Sequence, residues 1–438
     1  MTAEPRTDVR VRFGRLPSGV IHVGAAHTAL FNWLFARKNG GSFIIRIEDE
    51  PEERRDPAAA QSILDSLEWL GLNWDAVYHQ SQRRHIYDAY LHRLMESGRS
   101  YVAPDGTVRF RLSRQHHTLA DQVFGTIHFP ASAEPDITIR RQNGTYLFSF
   151  MHVVDDIEMG ISHVIRGADH LSSTWKHIDL CCGLGGAPPQ YAHIPLIERQ
   201  QGKRITRQDT AFSVARFHES GYLPTTLFHY LCSLGWTNRE RSYQVNRFDI
   251  ANEFAFQNVK RANVKFDMVR CLALNRRFLQ EIPLRELRLL ALPLLIEAGI
   301  SAELLHADDF AWETVRNRCA LLSEIPQVLA FTQSSAAPLS ASIPKQIVTA
   351  LNEELSFLER MEWKRTNIER VMASIAARSG FSNVSFFEVM RGALFNQTHL
   401  PFCLALSLLQ RDVALMRIRV LTEAGSGRAG GKAQVQIL

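Results

Sequence analysis

The sequence is poor in the features that mark zinc-binding or disulfide-bonded proteins. Its 438 residues include only six cysteines, and no two of them form a Cys-x-x-Cys pair. They are Cys181, Cys182, Cys232, Cys271, Cys319 and Cys403. This pattern argues against a zinc site or a disulfide framework and favours reduced, buried thiols. We therefore expect no zinc and no metal site built from the chain's own side chains.

Long apolar runs, a strong net charge and internal repeats are also missing. Residues 1–8 are polar and lack the apolar core of a signal peptide, so we expect a cytoplasmic protein with no membrane partner. The net charge is +5, which permits a nucleic-acid partner without demanding one. Only residues 423–432, rich in Gly and Ala, are typical of a disordered tail.

The N-terminal segment has the pattern of a strand, a loop, a helix and a second strand. Residues 9–13 alternate, residues 14–24 contain Gly and Pro, and residues 25–38 have helical spacing that ends at Asn39-Gly40-Gly41. Residues 42–49 form the next predicted strand. In such a crossover, ligands bind at the carboxyl ends of the strands. Arg12, His22 and Glu48 are expected on that side.

The predicted helix start suits a polyphosphate. It offers unpaired backbone N–H groups and a partial positive charge, and Gly24 would let a flat base approach the backbone. His22 would donate a hydrogen bond to a phosphate oxygen as charge develops. The alternative is an ordinary first turn of an α/β protein, in which His22 only caps the helix.

Several ordered segments resemble the glutamyl-tRNA synthetase family of class I aminoacyl-tRNA synthetases. The HIGH-type signature of that family is matched by His22-Val23-Gly24-Ala25, and the strand end Arg46-Ile47-Glu48-Asp49 also matches. The other similar segments are residues 30–37, 68–74, 80–83, 153–156, 164–171 and 234–236.

This resemblance implies an α/β fold with a Rossmann-like parallel sheet split by a small insertion and followed by an all-α module. The implied domains are a first catalytic half (1–106), a shortened acceptor-binding-like insertion (107–143), a second catalytic half (144–215), a stem-contact-like helical region (216–300), an anticodon-binding-like helical domain (301–424) and a tail (425–438). A strand is expected around Phe148 and His152, and a crossover helix from about Ser173. The helices predicted for the C-terminal part are residues 284–299, 342–357, 367–379, 386–394 and 404–421.

The resemblance also implies an ATP site with Mg²⁺. The implied ATP-binding residues are His22, Gly24, Ala25, Arg204 and Arg207, and the implied catalytic residues are His22, Gly24, Lys203 and Arg207. The family's KLSKR-like loop corresponds to residues 204–208, where Arg207 stands in place of a lysine. An ordinary basic surface loop is the alternative.

A glutamate-type pocket is implied by Arg12, Glu48, Phe148, His152 and Arg166. Arginine can bind a carboxylate bidentately, and Glu48 suits an ammonium group. The alternative is that Arg12, Arg46, Glu48 and Arg166 form structural ion pairs at strand ends.

Three departures from the family pattern fall inside that pocket. The family's Ala-Pro-Ser is Gly14-Arg15-Leu16, its tyrosine and asparagine are Phe148 and His152, and the arginine after its first signature is His27. Loss of hydrogen-bonding groups from a pocket changes amino-acid specificity by orders of magnitude. The pattern is therefore compatible with a preferred substrate that is chemically related to glutamate rather than glutamate itself. The insertion is also shorter than usual, which bears on how a tRNA 3′ end is held.

Two classes of function follow. The first is a ligase that activates glutamate or a related amino acid with ATP and transfers it to tRNA, or to another acceptor. The second is a catalytically impaired paralogue that binds tRNA or a protein partner. The sequence leaves the oligomeric state open.

Overall fold

The computed structural model describes residues 8–17, 20–50, 55–131, 134–206, 208–236, 242–333, 343–395 and 398–425. The chain divides into two compact units, residues 1–278 and residues 279–438. Arg207 and the predicted tail beyond residue 425 lie outside the described residues. None of the described helices combines the length and the apolar character needed to cross a membrane.

The predicted N-terminal crossover is confirmed. Strand β1 (Arg10–Arg15) is followed by helix α1 (Val23–Lys38) and strand β2 (Ser42–Ile47), which pairs with β1 in parallel. Helix α1 begins at His22, whose side chain accepts a hydrogen bond from the Ala25 N–H. It ends at Asn39, and the next residue, Gly40, has a φ of 61° that favours glycine.

The rest of the first unit completes an α/β architecture. Its further helices are α2 (Pro57–Trp69), α3 (Arg84–Glu96), α4 (Phe148–Glu158), α5 (Thr174–Gly183), α6 (Val214–Glu219), α7 (Pro224–Ser233), α8 (Arg247–Glu253) and α9 (Met268–Glu281), whose last turn belongs to the second unit. Its further strands are β3 (Ala76–His79), β4 (Ser100–Val102), β5 (Val108–Phe110), β6 (His117–Asp121), β7 (Gly125–Phe129), β8 (Ile137–Arg140), β9 (His163–Gly167), β10 (Gln190–Ile194), β11 (Ile197–Glu198) and β12 (Val264–Lys265).

The parallel strands of the first unit come from both sides of the insertion. Strand β2 pairs in parallel with β1 and β3, and β10 pairs in parallel with β9 and β6. The Ser162 N–H, just before β9, donates to the Arg10 carbonyl at 2.9 Å, and Ser162 Oγ accepts from the Arg10 N–H at 2.8 Å. The carboxyl ends of β1, β2 and β9 therefore meet at one edge, which is where ligands bind in such folds.

The described part of the predicted insertion, residues 107–131 and 134–143, consists of strands and turns. Strand β5 lies between β4 and β8 in an antiparallel sheet, while β6 and β7 form a hairpin that joins the edge of β10. This segment is thus joined to the parallel strands β9 and β10 through β6.

The strand predicted around Phe148 and His152 is wrong, because these residues lie on helix α4. Phe150, Val153 and Val154 are buried at helical spacing against the core that contains Tyr87 and Trp175. The predicted crossover helix from about Ser173 is confirmed by α5.

The second unit is entirely helical within its described residues. Its helices are α10 (Leu284–Glu297), α11 (Asp309–Arg316), α12 (Glu324–Leu329), α13 (Lys345–Leu358), α14 (Arg365–Arg378), α15 (Asn383–Leu394), α16 (Phe402–Leu408) and α17 (Arg411–Gly425). One continuous helix over 404–421 was the wrong prediction: Leu409 is extended, with ψ of 146°, and separates α16 from α17. The predicted fold class, a split parallel sheet followed by an all-α module, is confirmed.

Candidate active site

A polar cleft with a volume of about 190 Å³ lies at the carboxyl ends of β1, β2 and β9. Its walls come from the loop after β1, the start of α1, helix α4 and the segment around residues 195–205. The sequence-predicted residues that line it are Arg12, His22, Gly24, Ala25, Glu48, Phe148, His152, Arg166 and Arg204. Folding thus brings together residues that are up to 192 positions apart, from Arg12 to Arg204.

The start of helix α1 forms one end of the cleft. His22 Nδ1 accepts from the Ala25 N–H at 3.3 Å, so the neutral ring carries its proton on Nε2. Burial, with the nearby charges of Arg15 and Arg204, lowers the pKa of His22 to about 4. His22 is therefore a neutral donor at physiological pH. A Cβ at Gly24 would lie 3.1 Å from the His22 ring, so the bare glycine keeps space beside it.

The second signature segment reaches the cleft at Arg204. This guanidinium forms an ion pair of 2.7 Å with Asp169, and the neighbouring Ile205 is buried in the cleft wall. Lys203 is exposed and is not among the lining residues, so the structure does not bring it to the cleft. The prediction for Arg207 falls outside the described residues.

Arg12 and Arg46 are both held by Asp156 on α4. The Arg12 Nε and Nη2 atoms donate to the two carboxylate oxygens at 3.1 and 3.4 Å, and Arg46 Nη1 donates to Oδ1 at 2.7 Å. Burial opposes the ionisation of Asp156, but the two guanidinium groups hold its pKa well below the usual range. The alternative of structural ion pairs thus describes Arg12 and Arg46.

Glu48 and His152 face each other deep in the cleft, 4 % and 7 % exposed. Glu48 Oε1 and His152 Nε2 lie 2.7 Å apart, but without hydrogen-bond geometry, and neither atom has a hydrogen-bond partner within the described residues. His152 Nδ1 accepts from Arg46 at 3.0 Å, which leaves the proton on Nε2. A buried acceptor and a buried donor thus lie in contact with each other without a hydrogen bond between them.

The Glu48 carboxylate lies close to Gly14. An added Cβ at this glycine would lie 2.2 Å from Glu48 Oε1, so only glycine leaves room for it. Burial raises the pKa of Glu48 to about 7, against the charges of Arg46 and Arg12. Phe148 packs on His152 with ring centroids 3.5 Å apart and covers this side of the cleft.

Arg166, at the end of β9, is a buried cation of the cleft whose side-chain hydrogen-bond partners are two histidines and a threonine. It is 8 % exposed, and its N–H groups donate to His193, His177 and Thr174 at 2.9 to 3.2 Å. Within the described residues no carboxylate forms an ion pair with it. Burial lowers its pKa to about 10, so it stays charged at neutral pH. Such a cation is suited to bind the carboxylate of a ligand.

The sequence reasoning missed the roles of Asp156, Asp169 and His193. The two aspartates belong to segments that were matched to the family, but nothing in their spacing showed which arginine each would pair with. His193 stands in an apolar strand, where a lone histidine gives no separate signal. Its position beside Arg166 follows only from the parallel pairing of β9 and β10.

Family models match both units of the chain. The model of the class I tRNA synthetase catalytic domain, for the E and Q enzymes, matches residues 8–106 and 104–271. The model of an anticodon-binding domain matches residues 278–421. The resemblance seen in the sequence is therefore confirmed.

Individual relatives are similar in sequence to this chain over almost its whole length. The chain is similar to the glutamate–tRNA ligase of Akkermansia muciniphila, with 36% identity over 429 residues, which cover 94% of this chain and 98% of the relative. The glutamate–tRNA ligase of Methylacidiphilum infernorum is also 36% identical, over 89% of this chain and 92% of its own. Among solved structures, a glutamate tRNA ligase from Elizabethkingia meningosepticum has a TM-score of 0.77 at 22% identity, covering 95% and 99% of the two chains. This last likeness concerns the fold.

Proposed function

Because the chain belongs to the glutamyl-tRNA synthetase family of class I aminoacyl-tRNA synthetases, we propose that it is an ATP-dependent ligase that activates glutamate or a close relative and transfers it to tRNA. In the first step an oxygen of the α-carboxylate attacks the α-phosphorus of ATP, and the bond to the pyrophosphate leaving group breaks. In the second, a tRNA hydroxyl takes the acyl group and AMP leaves. We further propose a cytoplasmic location.

The observation that carries the proposal is that the buried Arg166 guanidinium and the start of α1 line the same cleft. A cation without a carboxylate partner in the described residues and a helix start suited to polyphosphate share one cleft. An amino acid and ATP are the pair of ligands that this arrangement fits. In it, Arg166 binds the side-chain carboxylate, and Glu48 accepts from the α-ammonium group.

The ATP side of the reaction rests on positioning and on charge stabilisation. The backbone N–H groups at the start of α1 and His22 Nε2–H would donate to phosphate oxygens, while Gly24 leaves space for the base. Arg204, held near the cleft by Asp169, would attract the leaving pyrophosphate. Mg²⁺ would enter with the nucleotide and neutralise phosphate charge. Gly24 and the neutral His22 are the local features that fit the nucleotide.

The departures from the family pattern around Glu48 favour one of two outcomes. The substrate is an amino acid other than glutamate, or glutamate is bound through contacts that differ from those in the family. Leu16, Phe148 and His152 stand where the family pattern has a serine, a tyrosine and an asparagine, so two hydroxyls and one amide are absent here. The donor at His152 Nε2 and the acceptor at Glu48 Oε1 are buried and lie 2.7 Å apart, but neither forms a hydrogen bond within the described residues. A ligand that satisfies both would be preferred over one that leaves either unpaired.

Amino-acid-dependent exchange of labelled pyrophosphate into ATP tests the proposal. We would screen glutamate, glutamine, aspartate and analogues, each with and without tRNA. Exchange is expected with at least one of them, and Arg166→Gln should lower kcat/KM for that amino acid by about tenfold or more, since a charge-assisted hydrogen bond is lost. Arg141→Gln, at an exposed arginine, is the matched control and should leave it unchanged.

Transfer to tRNA is tested separately, by following labelled amino acid into tRNA. The match of the second unit to an anticodon-binding domain supports tRNA as the acceptor. Exchange without transfer would favour another acceptor, and no exchange under any of these conditions would favour the catalytically impaired paralogue.

A further inference from the structure

A buried row of three polar side chains runs from the insertion to Arg166. Asp121, at the end of β6, and His193, on β10, are 5 % and 0 % exposed. Asp121 Oδ2 lies 2.7 Å from His193 Nδ1, and Arg166 Nε lies 3.2 Å from His193 Nε2. The parallel pairing of β9 with β10 places His193 directly beside Arg166.

The chemistry of the row fixes the proton on the imidazole. A guanidinium can only donate, so His193 Nε2 must accept from Arg166. The neutral ring then carries its proton on Nδ1 and donates it to the Asp121 carboxylate. Burial lowers the pKa of His193, which keeps the ring neutral although Asp121 opposes this shift.

We propose that Asp121 and His193 are positioning residues for amino-acid binding: Asp121 selects the Nδ1–H tautomer of His193, and His193 thereby orients the Arg166 guanidinium towards the cleft. This inference rests on the proposed role of Arg166 as the carboxylate-binding group. A support of this kind holds a ligand-binding side chain in one rotamer before the ligand arrives. It also gives the β6–β7 hairpin of the shortened insertion a role in the pocket.

Asp121 has a structural role as well, which the test must separate. Its Oδ1 atom accepts from the N–H groups of Val123 and Phe124 at 2.9 and 2.8 Å and so shapes the turn of the hairpin. Asp121→Asn retains an oxygen for this turn. Its amide nitrogen, however, would replace Oδ2, which also accepts from the His193 backbone N–H at 3.1 Å, and would donate to Nδ1. The ring proton would then lie on Nε2, where it faces the Arg166 N–H and the Thr174 hydroxyl.

Asp121→Asn is therefore expected to raise the KM for the amino acid by about tenfold or more while leaving the KM for ATP unchanged. At His193 two variants separate hydrogen bonding from packing. His193→Gln keeps a carbonyl oxygen that can accept from Arg166, and His193→Leu removes the acceptor at similar volume. The amino-acid KM of His193→Gln should lie nearer to wild type than that of His193→Leu.

Nitrogen-15 NMR of the histidine rings provides a readout that does not depend on activity. The wild-type full-length protein should show His193, assigned by its loss in His193→Gln, as the Nδ1–H tautomer, and Asp121→Asn should show the Nε2–H tautomer. An Nε2–H tautomer in the wild type would overturn the proposal, as would equal amino-acid KM values in wild type and His193→Leu.

These outcomes are distinct from failure of the proposed function. If the wild type catalyses no exchange with any amino acid, the role of Arg166 fails, while the tautomer measurement still decides whether Asp121 controls His193. If Asp121→Asn does not fold, the comparison of His193→Gln with His193→Leu decides the effect on KM.

Discussion

Burial of the Glu48 carboxyl group links its charge to pH in the neutral range. Its pKa is raised to about 7, chiefly by burial, and only the ionised form attracts an α-ammonium group. Because kcat/KM reports the ionisation of the free enzyme, its value for the amino acid should rise with pH through about 7 and then level off. Pyrophosphate exchange measured from about pH 6 to 8.5 checks this.

Glu48→Gln is the control for that profile. It should lower kcat/KM by about tenfold or more, because a charged hydrogen bond is lost, and it should remove the rise near pH 7. His22 does not confuse the result, since its pKa is lowered to about 4. A rise that persists in Glu48→Gln would mean that another group controls the profile.

Gly14 and His152 act on the same carboxylate from two sides. In Gly14→Ala the new Cβ would lie 2.2 Å from Glu48 Oε1, so the carboxylate must move and the KM for the amino acid should rise by about tenfold. The double variant with His152→Asn should recover part of this loss, because the shorter side chain gives Glu48 room. A double-mutant cycle of KM values measures the coupling, and simple additivity would contradict the argument.

Local pattern predicted which residues surround the cleft better than it predicted their contacts. The pattern of the first crossover indicated that His22 and Glu48 would line it, and the family resemblance indicated Arg166; all three do. The pairing of Arg12 with Asp156 joins β1 to α4 across 144 positions of the chain. No spacing rule reports a contact of that kind.

Helix α4 shows the same limit for a secondary-structure element. A strand was expected around Phe148 and His152 from the family resemblance, yet these residues lie on a helix that packs on α3 and α5. By contrast, α1 was predicted well, since its capping histidine and its Asn39-Gly40 stop are local signals. The break between α16 and α17 was missed because Leu409 and Gln410 carry no glycine or proline.

Two glycines of the second unit isolate the effect of backbone conformation on helix stability. Gly392, on α15, and Gly380, just after α14, both have open space where a Cβ would be added, but only Gly380 has a positive φ, 74°. Gly392→Ala should raise the free energy of unfolding by about 0.5–1 kcal/mol, because alanine loses less entropy in a helix. Gly380→Ala should lower it by about 1 kcal/mol, because alanine is strained at positive φ. Urea denaturation measures both, and equal effects would refute the argument.

At the scale of the whole molecule, the described cleft residues all belong to the first unit and the two test glycines to the second. Each unit has its own buried core, with Phe150 and Val154 in the first and Ile368 and Ile375 in the second. We therefore expect two transitions in scanning calorimetry. A bound ligand should stabilise only the unit that holds it.

A non-hydrolysable ATP analogue at about 100 times its Kd should stabilise the first unit by about 2.7 kcal/mol, because the ligand binds only its folded form. One transition should then move to higher temperature, while the other stays in place. Gly392→Ala should raise the temperature of the transition that the analogue leaves unchanged. Gly380→Ala should lower the temperature of that same transition. If the analogue and the glycine variants all shift one common transition, the two units unfold together, and the separation of ligand binding from the helical unit is refuted.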